Sequence, residues 1–125
     1  MIITAKLSDY RQSPRKVRLV ANLVKGKTAS DAADALAFLP KRAGKPLADL
    51  LASAVANAAH NFNISADKLF VRTMRVDSGM TLKRRRPRAR GMAFPIAKRT
   101  SRVMIELDTT DAMPAKKKAK AKATK

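Results

Sequence analysis

The chain reads as an α+β protein: three helices packed on a small three-stranded antiparallel sheet, with a long β-hairpin arm protruding from it. Three observations lead there. A single short strand pattern opens the chain, three consecutive helical patterns follow, and two β-favouring runs close it, in the order β-ααα-β-β. Those last two runs, Leu69-Phe70-Val71 and Val103-Met104-Ile105, flank an insert in which six of the eight positions from Lys83 to Arg90 are Lys or Arg. No acid occurs between Asp77 and Glu106.

The first strand is expected from Ile2 to Leu7, extending toward Arg11, with Ile3, Ala5 and Leu7 on one side and Thr4 and Lys6 on the other. Ser13-Pro14 opens a helix: Ser13 has the residue type of an N-cap, and Pro14 fits the first helical position, where a missing N–H costs nothing. Val17, Val20, Ala21 and Val24 share one face, while Arg15, Arg18, Asn22 and Lys25 line another. Gly26 is placed to end this helix. Thr28 caps a second helix, with Asp31 three residues on; Ala32, Ala35, Leu36 and Leu39 are its apolar stripe, and Pro40 stops it. A third segment runs from Lys41 to about Phe62, where Leu47, Leu50, Leu51, Ala54, Val55, Ala58 and Phe62 recur at helical spacing. Gly44 and Pro46 weaken its first turn, so the regular helix is expected from about Lys45.

After a polar connector over Asn61–Asp67, Leu69–Val76 reads as a strand, with Leu69, Val71 and Thr73 on one face and Phe70, Met74 and Val76 on the other. Val103, Ile105 and Leu107 alternate with Arg102, Met104 and Glu106 in its partner. About 12 residues per side of the insert, at roughly 3.3 Å each, allow an arm on the order of 40 Å long. Pro87 and Pro95 should limit its ladder, and Gly91 suits a sharp turn, placing the tip near Arg88–Met92. Residues 1–110 are thus expected to form one domain, with the arm at about 77–102. The Ala/Lys-rich tail, residues 111–125, is expected to be disordered in isolation.

The 125-residue chain has no Trp, one Tyr and four Phe, so small aliphatic side chains must fill its core. Its net charge is +19. The tail from Ala115 to Lys125 supplies six lysines; the body still holds 22 basic against 9 acidic residues. A surface this basic points to nucleic acid, because neutralising phosphates releases counterions. Arginine predominates in the arm, which favours paired phosphate contacts over diffuse attraction.

Catalytic groups do not converge. The chain has no cysteine and one histidine, His60, on the third helix beside Asn57 and Asn61, a position suited to a solvent-facing residue. Its acids are scattered, no glycine-rich phosphate loop is present, and Ser101 has no base. We expect no enzyme, cofactor, metal, membrane span or obligate homo-oligomer, and an intracellular protein. Competing readings are a disordered basic loop or import signal at Lys83–Arg86, a DNA-architectural protein using Phe94 and Pro95 as a wedge, and a secreted cationic protein.

Several blocks resemble a known family. Ser13-Pro14-Arg15-Lys16-Val17-Arg18-Leu19-Val20, Lys25-Gly26-Lys27 and Ser53-Ala54-Val55-Ala56-Asn57-Ala58 with His60-Asn61 are similar to ribosomal protein twenty-two of the large subunit. The most specific block is Thr81-Leu82-Lys83-Arg84-x-x-Pro87-Arg88-Ala89-Arg90-Gly91, followed by Lys98-Arg99-Thr100-Ser101. The similarity spans about Ala5 to Leu107 and resembles the bacterial form. Departures are Met92 and Phe94, where the family commonly has a basic residue and an acid, Arg102 for a frequent histidine, and Pro46 in a usually continuous helix.

The resemblance implies a cytoplasmic constituent of the large ribosomal subunit that binds 23S rRNA, supports assembly and sends its hairpin to the nascent-peptide exit tunnel. Its implied neighbours are other large-subunit proteins, including ribosomal protein four near the tunnel constriction, and the nascent peptide in passing. Expected rRNA contacts are Arg11, Arg15, Lys16, Arg18, Lys25 and Lys27 on the body, and Lys83, Arg84, Arg85, Arg86, Arg88, Arg90, Lys98, Arg99, Ser101 and Arg102 on the arm. Arg88, Ala89, Arg90, Gly91 and Met92 are the expected tunnel-lining tip.

Overall fold

Strand β3 (Ala93–Thr109) is the centre of the sheet in the computed structural model, which describes residues 2–109. Strand β1 (Ile3–Tyr10) pairs with one edge of it and β2 (Leu69–Pro87) with the other, both antiparallel, in the order β1-β3-β2. Between β1 and β2 the chain forms helices α1 (Pro14–Val24), α2 (Ala29–Ala37) and α3 (Gly44–Phe62), then a 3-10 turn at Ala66–Lys68. This is the α+β arrangement expected. The tail assignment at 111–125 lies outside the described residues.

Helix α1 buries Val17, Val20, Ala21 and Val24, as their spacing requires. Pro14 is its first residue and Ser13 its N-cap, but the Ser13 hydroxyl makes no capping bond. The Ser13 carbonyl accepts from Lys16 N and Val17 N instead, at 3.0 and 3.3 Å. Gly26 ends the helix at a φ of 76°, a left-handed conformation that glycine adopts without steric cost. Its N–H donates to the Val71 carbonyl at 2.7 Å, and Val71 N donates to the Lys27 carbonyl at 2.9 Å. This clip fixes the end of α1 to β2.

Thr28 Oγ1 accepts from Asp31 N at 3.2 Å and caps α2, whose Ala32 and Leu36 are buried. Helix α3 begins one residue before the expected Lys45. Pro46 sits in its first turn, where no intrahelical N–H bond is needed. Gly44 permits a close approach: a Cβ there would stand 3.1 Å from the Leu36 carbonyl oxygen and 3.3 Å from that of Leu39. Leu47, Leu50, Leu51, Ala54 and Ala58 enter the core. Phe62, the last of the expected stripe, does not. Asn63 turns left-handed and ends the helix, leaving Phe62 43% exposed.

The face assignment for β2 needs correcting. Val71 pairs with Leu107 and Thr73 with Glu106, so Arg72 is an extra residue in a β-bulge. The bulge resets the alternation. Met74 and Val76 therefore join Val71 in the core, while Thr73 is only half-buried. On β3, Val103, Ile105 and Leu107 are buried as expected. These residues form one cluster with Ile3 and Ala5 of β1 and the apolar faces of the helices.

Beyond Ser78 and Ser101, where β1 makes its last pairing through Tyr10, β2 and β3 continue as a two-stranded arm whose ladder runs to Pro87 opposite Ala93. Nine residue steps from Ser78 to Pro87, at about 3.3 Å each, make it roughly 30 Å long. Pro87 ends β2 as expected, but Pro95 does not interrupt pairing and stands opposite Arg85. In a two-stranded arm each strand has a free edge, which offers positions where a proline removes no ladder bond.

Candidate nucleic-acid interface

Position on the arm is set at its root. A second bulge between Ser78 and Thr81 is held by Thr100, whose hydroxyl donates to the Met80 carbonyl at 2.6 Å. Next to it Ser101 is fully buried and donates to the Gln12 carbonyl at 3.0 Å. Ser101 was expected among the rRNA contacts. Its burial and its committed hydroxyl make it instead a tie between the arm and the β1–α1 loop.

From that root outward, Lys83 through Arg90, Lys98, Arg99 and Arg102 are all exposed. The chain closes at Arg88–Met92: Arg88 N donates to the Met92 carbonyl at 2.8 Å, and Arg90 and Gly91 take left-handed backbone at φ 57° and 68°. Consecutive left-handed residues turn the chain tightly, so the tip is compact and directs its side chains to solvent. Arg84 donates to its neighbour's carbonyl, Lys83 O, at 2.9 Å, and the Arg88 guanidinium lies 5.6 Å from the Phe94 ring centroid. Among the described residues no carboxylate on the arm beyond Asp77 competes for these cations, and Asp77 already pairs with Arg75 at 3.0 Å. Charges of one sign, exposed and unneutralised, attract a polyanion over a Debye length of about 10 Å.

A cleft of about 620 Å³ lies where the arm meets the body, lined by Arg11, Gln12, Ser13, Lys16, Arg42, Ala97, Lys98 and Arg99. It gathers four expected contacts, Arg11, Lys16, Lys98 and Arg99, from three separate elements. Arg42, from the α2–α3 loop, completes it and was not expected. Tyr10 brings that loop in, its hydroxyl lying 2.8 Å from Gln12 Oε1 and 3.2 Å from the Arg42 carbonyl oxygen. No local pattern around Arg42 announces this; the contact spans 32 residues.

The other body residues divide. Arg15 is exposed on α1. Arg18 turns its guanidinium onto the Val76 carbonyl, with Nε at 3.1 Å and Nη2 at 3.0 Å, bracing α1 against the root of the arm. Lys25, at the C-cap of α1, stands roughly 13 Å along the helix axis from Lys16, and Lys27 follows the Gly26 turn; neither lines the cleft. Among the described residues no three His, Asp or Glu side chains gather to hold a metal ion, and His60 is exposed with Nδ1 3.1 Å from Asn61 Oδ1.

Comparison with known proteins matches residues 5–108 to the model of the family described as ribosomal protein L22p/L17e. The chain belongs to the ribosomal protein L22p/L17e family. Its relatives include the large ribosomal subunit protein uL22 of Deinococcus radiodurans, 54% identical over 76% of this chain and 71% of the relative. The uL22 of Mycoplasma capricolum is 54% identical over 81% of this chain and 91% of its own length. That of Herpetosiphon aurantiacus is 46% identical, covering 83% and 92%. As a member of the L22p/L17e family the chain is a structural, non-enzymatic ribosomal protein. The DNA-architectural and secreted readings are set aside on that membership.

Proposed function

We propose that this constituent of the cytoplasmic large ribosomal subunit binds 23S rRNA through the arm and the cleft at its root, and supports subunit assembly. The hairpin tip, Arg88–Met92, lines the nascent-peptide exit tunnel near ribosomal protein four. The body rests at the subunit surface and the arm threads between rRNA helices. One observation carries the reading: eight Lys or Arg residues from Lys83 to Arg99 are displayed on a narrow two-stranded arm with no acid among them. Such an arm repels itself in water and is relieved by intercalating among phosphates. Each neutralised phosphate contributes about 0.7–0.9 to the slope of log affinity against log salt.

Sedimentation tests this. Tagged full-length chain in lysate is expected in the large-subunit peak of a sucrose gradient, and replacing Lys83, Arg84, Arg85 and Arg86 together with Gln should deplete it there. A chain absent from that peak, or a variant incorporated as well as the parent, contradicts the proposal.

A further inference from the structure

Strand alternation gives the arm two chemically different faces. On one, Lys83 stands opposite Ala97, Arg85 opposite Pro95 and Pro87 opposite Ala93, so the cations rise from a floor of small residues. This face continues β3's buried positions Val103 and Ser101 through Arg99, and so lies on the side of the root cleft. On the other face Arg84 stands opposite Ile96 and Arg86 opposite Phe94, with Met92 next along the chain. Phe94, Ile96 and Met92 are 50, 37 and 59% exposed. Pairing of the strands does not require side chains of this size, since Ala93 and Ala97 serve on the opposite face. Exposed large apolar groups in a repeating register with arginines point to a ligand that is flat, apolar on its faces and anionic at its edge.

We propose that this face, Arg84, Arg86 and Arg88 with Met92, Phe94 and Ile96, binds unstacked RNA bases, while the opposite face tracks phosphates alone. The inference rests on the arm meeting rRNA and assigns which chemistry each side of it recognises. Same-face side chains on a strand are about 6.7 Å apart. Stacked bases are about 3.4 Å apart. One base therefore fits between neighbouring side chains with both of its surfaces covered. The Arg88 guanidinium at 5.6 Å from the Phe94 centroid already shows the ring receiving a flat cation, and a base extends the same stack. An apolar polypeptide covers the apolar groups but leaves three arginines without anions; a nucleotide satisfies both. On the other face the small floor offers nothing to stack on, and Lys83 and Arg85 act as charges.

The chain contains no tryptophan, so a Phe94→Trp variant of the full chain carries a single indole reporter on this face. It is titrated with a short unstructured RNA, an RNA duplex of equal length and inorganic polyphosphate, with binding followed independently by anisotropy of labelled ligand. The expected result is emission loss that saturates with single-stranded RNA, and no comparable loss when duplex or polyphosphate binds. Phe94→Ala is expected to weaken single-strand binding about ten-fold, the loss of one stacked base, and to leave duplex binding unchanged. Single-strand binding without emission loss, or equal loss with polyphosphate, overturns the inference. So does an emission shift produced by an apolar peptide but not by RNA, which assigns the face to polypeptide. Failure to bind any RNA appears in the anisotropy and sinks the rRNA-binding reading as well.

Discussion

Gly79 is the residue on which the aim of the arm depends, and its replacement by alanine tests that. A Cβ at Gly79 collides with Thr100 Oγ1 and comes within 3.3 Å of the Thr100 carbonyl carbon and 3.4 Å of its Cβ. Relief requires the Thr100 side chain to turn away, which breaks its hydrogen bond to the Met80 carbonyl. That bond is worth about 1 kcal/mol net. Displacing the side chain from its rotamer costs about another 1 kcal/mol. Against these stands a gain of about 0.4–1 kcal/mol, because alanine restricts the unfolded chain more than glycine. Gly79 is not among the glycines with positive φ, so no backbone strain is added. The balance is a loss of about 1–2 kcal/mol for Gly79→Ala. Thr100 and Ser101 are buried, so the bulge unfolds with the core and a global denaturant titration reads the change. Thr100→Ala alone loses the hydrogen bond, about 1 kcal/mol. The double variant has already lost that bond and has no clash, so its cost falls short of the sum by about 1 kcal/mol or more. A neutral Gly79→Ala, or strictly additive single and double variants, refutes the reasoning.

Three further outcomes follow from the structure. Burial pushes the Asp108 carboxyl upward, but hydrogen bonds and nearby positive charge, the Thr109 N–H at 2.9 Å and Arg72 at 3.4 Å among them, hold it below its ordinary value of 3.8. The unfolded chain then binds the proton first as the pH falls below that value, so stability drops as the pH passes down through the depressed native one. Unfolding free energy measured against pH should show this acid loss in the parent and a flatter curve in Asp108→Asn. Replacing Arg11, Lys16 and Arg42 with Gln removes three cations from the root cleft and should lower the salt slope of rRNA binding by about 2–3; an unchanged slope means the cleft holds no phosphates. Arg18→Met keeps the aliphatic packing but loses the bonds to the Val76 carbonyl, and should cost about 1 kcal/mol of stability in denaturant titrations.

What the sequence disclosed was whatever depends on local pattern. The helices, their buried stripes, the Thr28 cap and the alternating Val103, Ile105 and Leu107 follow from periodicity and capping chemistry that neighbours alone determine. What stayed hidden depends on partners distant in sequence. The bulge at Arg72 exists only because β3 sets the register it breaks, and without it the alternation of β2 points Thr73 inward. Pro95 looks like a breaker until the arm is seen to have two free edges. Phe62 continues a helical stripe but meets solvent because Asn63 ends the helix there. At the interface, the cations of the arm were legible as a run of arginines. Arg42 was not, since Tyr10 recruits it from another loop, and Ser101 carried the look of a surface residue in a basic stretch while its hydroxyl serves the Gln12 carbonyl.

The central claim is that the arm lies among large-subunit rRNA. A photoreactive amino acid placed at Arg85, on the face with the small floor, tests it most directly in subunits assembled with the full-length chain. Irradiation is expected to yield a cross-link to 23S rRNA, mapped by a reverse-transcription stop. Cross-links confined to protein, or none from subunits that contain the chain, would contradict the account.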